Sequence, residues 1–166
     1  EIILDNSSVI SNYIEDQLID KSCKLISPKN LDALLKIIQN IEFGIFPDSG
    51  PLHVAKILGK RGVLISTSVS PAILLNNFKN IEILDNNYTS INCSSPCGLT
   101  NLFNFQNKAG CFDTHQIGIE ELLKLNSNSL QRGKLKENYL YFIKKPVGCV
   151  NNINVDNLIN KINNFI

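Results

Sequence analysis

The chain has 166 residues, of which 43% are hydrophobic, and a formal net charge of +1 from 16 basic and 15 acidic side chains. This length suits one domain of ordinary size, and the balanced charge gives no electrostatic argument for a nucleic-acid-binding surface. No apolar run approaches the roughly 20 residues that a membrane-spanning helix needs, and no basic-then-apolar leader is present, so a cytoplasmic protein is expected.

Short apolar runs and helical patterns alternate along the first half of the chain. Five runs predict strands: EIILD, CKLIS, FGIFP, GVLIS and IEILD. Ser7 or Ser8 caps a predicted helix that reaches about Asp20, residues 31–40 form a second helix, and PLHVAKILG forms a third with Pro51 in its first turn. This alternation predicts parallel βαβ units, that is, a Rossmann-like α/β domain with helices on both faces of a parallel sheet.

The pattern weakens after about residue 86. The segment NNYTSINCSSPCGLTNLFNFQNKAGC is polar and contains cysteines, IGIEELLKL predicts a helix, and YLYFI predicts a strand beyond a polar linker. A terminal helix over 155–162 is predicted from its apolar spacing, with Asn154 as its cap. We therefore expect a single domain over 1–166, with a core in 1–90, a cysteine-bearing irregular loop and insert in 91–150, and a terminal helix in 151–166.

Five cysteines occur along the chain: Cys23, Cys93, Cys97, Cys111 and Cys149. Cys23 falls in an apolar run and is expected in the core. Cys93, Cys97, Cys111 and His115 are weak candidates for a tetrahedral zinc site, with Cys149 as a competing fourth ligand. The spacing fits a zinc ribbon poorly, so we prefer free thiols in an irregular loop or an adventitious disulfide, with His115 as a solvated histidine, and expect no metal.

The stretch FPDSGPLHVAKILG places an acid, a hydroxyl, a glycine, a proline and a histidine at one bend. Asp48, Ser49 and Gly50 form the predicted turn, and His53 lies one helical turn further on. Ligands of open α/β sheets bind beyond the carboxyl ends of strands, and a helix start attracts anions through its unpaired N–H groups. This pattern is compatible with a phosphate site, in which Gly50 allows close approach and Ser49 adds a hydroxyl, although spacing alone does not prefer it to a structural role. The structural alternative makes Asp48 or Ser49 a helix cap and His53 a partly exposed helix residue.

The longer stretch PDSGPLHVAKILGKRGVLISTSVSP resembles the signature of the heptosyltransferases, glycosyltransferase family 9. The matching positions are Asp48, Ser49, Gly50, Pro51, His53, Ala55 and Gly59. A strand over 63–65 and a loop over 66–71 follow at the expected distance, and CSSPCGLT and CVNNINVDNLINKI are similar to the family's cysteine-bearing tail. The resemblance implies the GT-B architecture, two Rossmann-like halves facing across a cleft, of which this chain matches only the carboxyl half.

The resemblance implies the donor-binding half of an enzyme that moves a heptose-like sugar from a nucleotide-sugar, such as ADP-heptose, to a lipopolysaccharide or surface-glycan acceptor. Ser49 and Gly50 would offer N–H groups to the diphosphate, Asp48 would bind sugar hydroxyls or orient the turn, and His53 would stabilise the departing nucleotide without a metal. Further loop contacts would come from Ser66, Thr67 and Ser68. The family's acceptor site and catalytic base belong to an amino-terminal half that this chain lacks, so the isolated half would be inactive. The family works at the inner face of the bacterial inner membrane.

Three departures from the family pattern affect these expectations. The family's acid that can hold the nucleotide ribose is missing at the matching place in DNSSVISNYIED. The common Gly-Pro-Thr form of the loop is missing in STSVSP, and a proline frequent in the family is replaced by Lys60 and Arg61. A different class of function therefore stays open, a nucleotide- or sugar-binding module without transferase activity, and a GT-B-like epimerase is a third candidate. Besides the nucleotide-sugar substrate, no cofactor is expected, and neither nucleic acid nor a membrane segment is expected among the partners.

Overall fold

The computed structural model describes residues 1–5, 11–18, 22–90, 93–98 and 148–165. The chain is mixed α/β. In chain order its elements are β1 (Ile2–Ile3), α1 (Ser11–Leu18), β2 (Leu25–Ile26), α2 (Leu31–Asn40), β3 (Phe43–Phe46), α3 (Gly50–Ile57), β4 (Arg61–Ile65), α4 (Pro71–Leu75), β5 (Ile81–Leu84), β6 (Thr89–Ser90), β7 (Cys93–Ser94), α5 (Gly148–Asn151) and α6 (Val155–Asn163). Within these ranges, no helix combines the length and apolar character that crossing a bilayer requires.

The strands form small sheets rather than one continuous sheet. β3, β4 and β5 make a parallel sheet in that order, with Phe46 beside Leu64 and Leu64 beside Ile83. β1 and β2 form a separate parallel pair, and β6 and β7 form an antiparallel pair. The predicted α/β class with parallel strands is thus confirmed, whereas the five predicted strands are divided between two hydrogen-bonded sheets.

One face of the β3–β5 sheet carries the hydrophobic core, and we call it the inner face. Register partners on parallel strands point to the same side, so the side chains of Phe46, Leu64 and Ile81 all reach this face. Three helices, α2, α3 and α4, cover it with buried side chains. The core cluster consists of Ile38, Phe46, Leu52, Ala55, Leu64, Leu74, Leu75 and Ile81. Each large side chain buried in this way stabilises the fold by about 1.5–3 kcal/mol.

Two glycines give the Phe46 ring its place on the inner face. A Cβ atom on Gly44 would overlap the Phe46 ring, and one on Gly62 would overlap both that ring and the Gly44 carbonyl oxygen. The ring therefore lies across the backbones of β3 and β4, where only glycine leaves enough room. Glycine is therefore required at positions 44 and 62 because a side chain would clash there, and not because the backbone turns at these positions.

The opposite, outer face of the β3–β5 sheet is covered by α6. The ring centroids of Phe43 and Phe165 are 5.2 Å apart, and the Arg61 guanidinium donates to the Phe165 carbonyl oxygen at 2.7 Å. Lys161 Nζ lies 3.2 Å from a carboxylate oxygen of Glu82 on β5. The predicted terminal helix and its cap are confirmed, because Asn154 Oδ1 accepts a hydrogen bond from the Asn157 N–H at 2.9 Å.

Other sequence predictions meet the structure less well. Cys23 is exposed and precedes the two-residue strand β2, so the prediction that it is a core residue was wrong. Helix α4 was not predicted, although Pro71 at its start is a typical first-turn residue. The capping serines at 7–8, the IGIEELLKL helix and the YLYFI strand lie outside the described residues.

Candidate functional site

The turn between β3 and α3 has the position that the sequence predicts for a ligand site. β3 ends at Phe46 and α3 begins at Gly50, with Ser49 as the extended N-cap residue. Parallel strands end at the same edge of a sheet, so this turn lies at the carboxyl edge of the β3–β5 sheet together with the loop that follows β4.

The first turn of α3 has fewer available donors than an ideal helix start. The Ser49 carbonyl oxygen accepts hydrogen bonds from the N–H groups of Leu52 at 3.1 Å and His53 at 3.4 Å. Pro51 has no N–H, so the Gly50 N–H is the first-turn amide not directed at Ser49. The Ser49 hydroxyl donates to the Pro47 carbonyl oxygen at 3.2 Å instead of capping the helix. The serine is therefore the N-cap by position without making a side-chain cap.

Gly50 faces open space. A Cβ atom built on it would meet no other atom within 4 Å. The turn therefore does not require glycine for steric reasons, and the missing side chain leaves the Gly50 amide accessible. A methyl group can be added here without a clash, which makes Gly50 a clean position for testing whether an anion approaches this amide.

Asp48 and His53 lie close to each other on the solvent side of the turn. The distance from His53 Nε2 to Asp48 Oδ1 is 4.0 Å, which is longer than a hydrogen bond. The side chains are 53% and 35% exposed for His53 and Asp48, respectively. A pair of this exposure contributes little to folding even when the imidazole is protonated. Both groups are therefore free to turn toward a ligand without a large loss of stability.

A cleft of about 960 Å³ runs along β3 and opens at the same turn. Its polar end includes Ser49, Gly50 and Asn30, whose side chain also caps α2 by accepting from the Ala33 N–H at 2.9 Å. Its walls are mainly apolar and come from β1, α2 and β3. Asp48 and His53 lie outside this lining, so the candidate residues divide between the mouth of the cleft and the neighbouring surface.

The far end of the cleft carries one ion pair. Glu1 lines the cleft, and Lys24 Nζ donates to its carboxylate at 2.7 Å. This hydrogen bond, with the charge of Lys24, lowers the pKa of the Glu1 carboxyl. The pair joins the residue before β1 to the residue before β2, at the end of the cleft opposite the turn.

The loop after β4 is held by the β6–β7 region. Ser66 is buried, and its hydroxyl donates to the Val69 carbonyl oxygen at 3.4 Å. The Thr67 carbonyl oxygen accepts from the Ser95 hydroxyl, and the Ser68 carbonyl oxygen accepts from the Gly98 N–H at 2.7 Å. Among the three candidate loop contacts, the Ser66 hydroxyl is thus directed into the loop, and Thr67 and Ser68 are half-buried.

The candidate zinc ligands are only partly within the described residues. Cys97 is exposed and Cys149 is buried in α5, whereas Cys111 and His115 lie outside the described ranges. Among the residues that the structure describes, no group of three or more His, Cys, Asp or Glu side chains could hold a metal ion.

Sequence reasoning missed a buried amide that anchors the carboxyl-terminal region. Asn86, two residues after β5, donates through its side chain to the Cys149 carbonyl oxygen and accepts from Asn152 Nδ2 at 2.9 Å. Asparagine is frequent throughout this chain, so the sequence position of Asn86 did not distinguish it from the solvated asparagines.

Comparisons of this chain with protein-family models, with curated proteins and with solved structures found no match.

Proposed function

We propose that this chain is the donor-binding half of a glycosyltransferase of the heptosyltransferase type, glycosyltransferase family 9, and forms one Rossmann-like half of a GT-B enzyme. Its substrate would be a nucleotide-sugar with a heptose-like sugar, used for a lipopolysaccharide or surface-glycan acceptor. The observation that carries this proposal is the turn Asp48–Ser49–Gly50, which joins a parallel strand to a helix at the carboxyl edge of the sheet.

The diphosphate of the donor would bind in front of α3. The space beside Gly50 where a side chain would lie is open, and the positive end of the helix dipole favours an anion at this point. The Ser49 hydroxyl now bonds the Pro47 carbonyl oxygen at 3.2 Å, and rotation would redirect it to a phosphate oxygen. A single free amide and one hydroxyl make a modest phosphate site, so the site needs further charge from its surroundings.

His53 would supply that charge. Its imidazole lies on the first turn of α3 and is about half exposed, so it can reach a phosphate oxygen in front of the helix. A protonated imidazole there would stabilise the negative charge that develops on the departing nucleotide. Asp48, whose Oδ1 lies 4.0 Å from His53 Nε2, would accept hydrogen bonds from sugar hydroxyls.

Nucleotide binding tests this proposal directly. Calorimetric titration of the chain with ADP, UDP and GDP should give binding by at least one of them. Gly50→Ala should weaken that binding about tenfold or more, because its methyl group would cover the amide while the fold has space for it. His53→Ala should weaken it similarly, since it removes a donor to the phosphate, and Asp48→Ala should weaken the binding of the complete nucleotide-sugar, whose sugar hydroxyls Asp48 would contact.

Asp156→Ala is the matched control for a lost carboxylate, because Asp156 lies in the first turn of α6 on the outer face. It should leave nucleotide affinity unchanged. If Gly50→Ala and His53→Ala bind nucleotide, and Asp48→Ala binds the nucleotide-sugar, as well as the unaltered chain does, the site assignment is wrong. If no nucleotide binds at all, the donor-binding proposal itself fails.

A nucleotide- or sugar-binding module without transferase activity is the second candidate. It is favoured by the modest phosphate site, in which the Gly50 amide and the Ser49 hydroxyl are the donors at the start of α3. The gene sequence upstream of Glu1 distinguishes the two candidates. A further βαβ set of about 150 residues supports the transferase, and its absence supports the module.

A further inference from the structure

A cavity of about 250 Å³ lies at the edge of the β3–β5 sheet opposite the Ser49–Gly50 turn. Lys60 and Asn80, which line it, directly precede β4 and β5. Parallel strands begin at the same edge of a sheet, so the cavity lies at the amino edge. β4 has five residues, and at about 3.3 Å per residue the two edges are roughly 15 Å apart. One phosphate group cannot reach both places, so this cavity is separate from the proposed donor site.

Three lysines from separate parts of the chain line this cavity. Lys56 is on α3, Lys60 is in the turn before β4, and Lys79 is in the turn before β5. None of the described residues that line it is acidic, although the whole chain has 16 basic and 15 acidic side chains. Positive charges around one cavity repel each other, and an anion between them would relieve that repulsion. We call it the lysine cavity, and its lining consists of Lys56, Gly59, Lys60, Asn77, Phe78, Lys79, Asn80 and Ile81.

Two of the lysines also hold parts of the fold together. Lys56 Nζ donates to the Leu74 carbonyl oxygen and lies 4.9 Å from the centroid of the Phe78 ring. Lys60 Nζ donates to two carbonyl oxygens at the end of α2, at 2.5 Å and 3.1 Å. An ammonium group has three N–H donors, so Lys56 and Lys60 each keep at least one donor for a ligand.

Lys79 differs from these two lysines. It is exposed, and its ammonium group makes no hydrogen bond or ion pair with any residue that the structure describes. The neighbouring Asn80 donates through Nδ2 to the Gly59 carbonyl oxygen at 3.0 Å, which leaves its second amide hydrogen for a ligand. The lysine cavity therefore combines charged and amide donors that exceed the acceptors around it.

We propose that the lysine cavity binds a free phosphate or diphosphate anion. Lysine binds phosphate as a point charge, and three lysines around one cavity match an anion that carries more than one negative charge. The cavity volume of about 250 Å³ equals that of roughly eight water molecules at ~30 Å³ each, which is enough for such an anion. Binding there would connect α3 with the turns that lead into β4 and β5.

Residue-resolved NMR titration with inorganic pyrophosphate tests this proposal. The amide signals of Lys79 and Asn80 should shift and then saturate. Lys79→Ala should weaken the affinity measured at the Asn80 amide about tenfold or more, because it removes a charge-assisted contact. Lys79→Arg keeps the charge and should bind within about threefold of the unaltered chain. Lys36→Ala, at an exposed position of α2 outside the cavity lining, is the matched control and should leave the affinity unchanged.

The same titration reads the two proposed anion sites separately, because the Gly50 amide reports on the donor site. Shifts at the Gly50 amide without shifts around the lysine cavity overturn the present proposal and leave the donor site standing. No saturable shift at Lys79 and Asn80, or the same affinity in Lys79→Ala as in the unaltered chain, also overturns it.

Urea unfolding provides a second measurement. A ligand that binds the native state stabilises it, so pyrophosphate should raise the unfolding midpoint more in Lys36→Ala than in Lys79→Ala. General salt effects and any binding at the donor site act alike on both variants, so the difference reports on the lysine cavity. An equal rise in the two variants overturns the proposal.

Discussion

The two faces of the β3–β5 sheet are covered in different ways. On the inner face, side chains from the helices and from β4 are almost completely buried, among them Ile38, Leu52 and Leu64, each with 0% of its surface exposed. On the outer face, α6 has no buried residue, and Val155 and Ile159 are 60% and 47% exposed. The outer face of the sheet also buries Val63 and Leu84, at 0% and 3% exposed, so the contrast lies in the helices. Those on the inner face are stabilised by apolar burial, whereas α6 is held mainly by a few specific contacts.

This difference indicates where the stability of the domain is concentrated. Burial acts on every side chain that leaves water, so the packing of the inner-face helices contributes a larger free energy than the packing of α6, which has no buried residue. The contacts of α6 are an aromatic pair, a guanidinium–carbonyl hydrogen bond and a surface ion pair, each worth about 1 kcal/mol or less. We therefore expect α6 to detach at a lower free energy than the inner-face helices.

The strongest test of this contrast is Leu64→Ala. Leu64 is fully buried in the middle of β4, so the substitution should lower the free energy of unfolding by about 2–5 kcal/mol. Urea unfolding followed by circular dichroism measures the change. Ile57→Ala, at an 81% exposed position, is the control and should change stability by less than about 0.5 kcal/mol. Similar losses in both variants would contradict an inner face stabilised by burial.

A matched pair of helix caps gives a sharper comparison. Asn30 caps α2 and Asn154 caps α6, each through a side-chain oxygen 2.9 Å from a backbone nitrogen. Replacing either asparagine by alanine should cost about 1 kcal/mol of helix stability. Asn30→Ala should appear as reduced global stability, because α2 carries Ile38 of the core.

The Asn154→Ala variant should lose local stability in α6 rather than the global stability that Asn30→Ala loses. Asn154→Ala should accelerate amide exchange within α6 while the midpoint of global unfolding hardly changes, because α6 opens separately. Hydrogen exchange and urea unfolding together separate these outcomes. An equal loss of global stability in the two variants would show that α6 unfolds with the core.

The smallest effect is expected for Lys161→Ala. The Lys161 and Glu82 side chains are 32% and 42% exposed, so solvent screens their ion pair. The substitution should cost less than about 0.5 kcal/mol, and 1 M salt should remove most of the difference between the variant and the unaltered chain. Urea unfolding at low and high salt provides the measurement. A larger loss of stability that does not depend on salt would show that Lys161 stabilises the fold through packing of its side chain and not through the ion pair with Glu82.

Local sequence signals predicted α2, α3 and α6, but not the short helices α4 and α5. α2 and α6 carry asparagine caps followed by apolar residues at helical spacing, and α3 has Pro51 in its first turn. These signals depend on neighbouring residues alone. The separation of β1 and β2 from the larger sheet depends on contacts between distant residues, so no local pattern in EIILD or CKLIS could predict it.

The candidate site shows the same limit. The place of the Asp48–Gly50 turn follows from the strand before it and the proline after it, and the structure has it there. The partner of the Ser49 hydroxyl and the 4.0 Å separation of Asp48 and His53 depend on backbone and side-chain angles that composition does not determine. The inward hydroxyl of Ser66 likewise reflects the path of its loop.

The Phe46 ring has a consequence for how this sequence can vary. At Gly44, all three nearest obstacles to a side chain are atoms of that ring, so a smaller residue at position 46 would make room for alanine there. At Gly62, the nearest obstacle is the Gly44 carbonyl oxygen, which is a backbone atom and is present whatever residue stands at position 44. In homologues we therefore expect substitutions at positions 44 and 46 to occur together, while position 62 remains glycine.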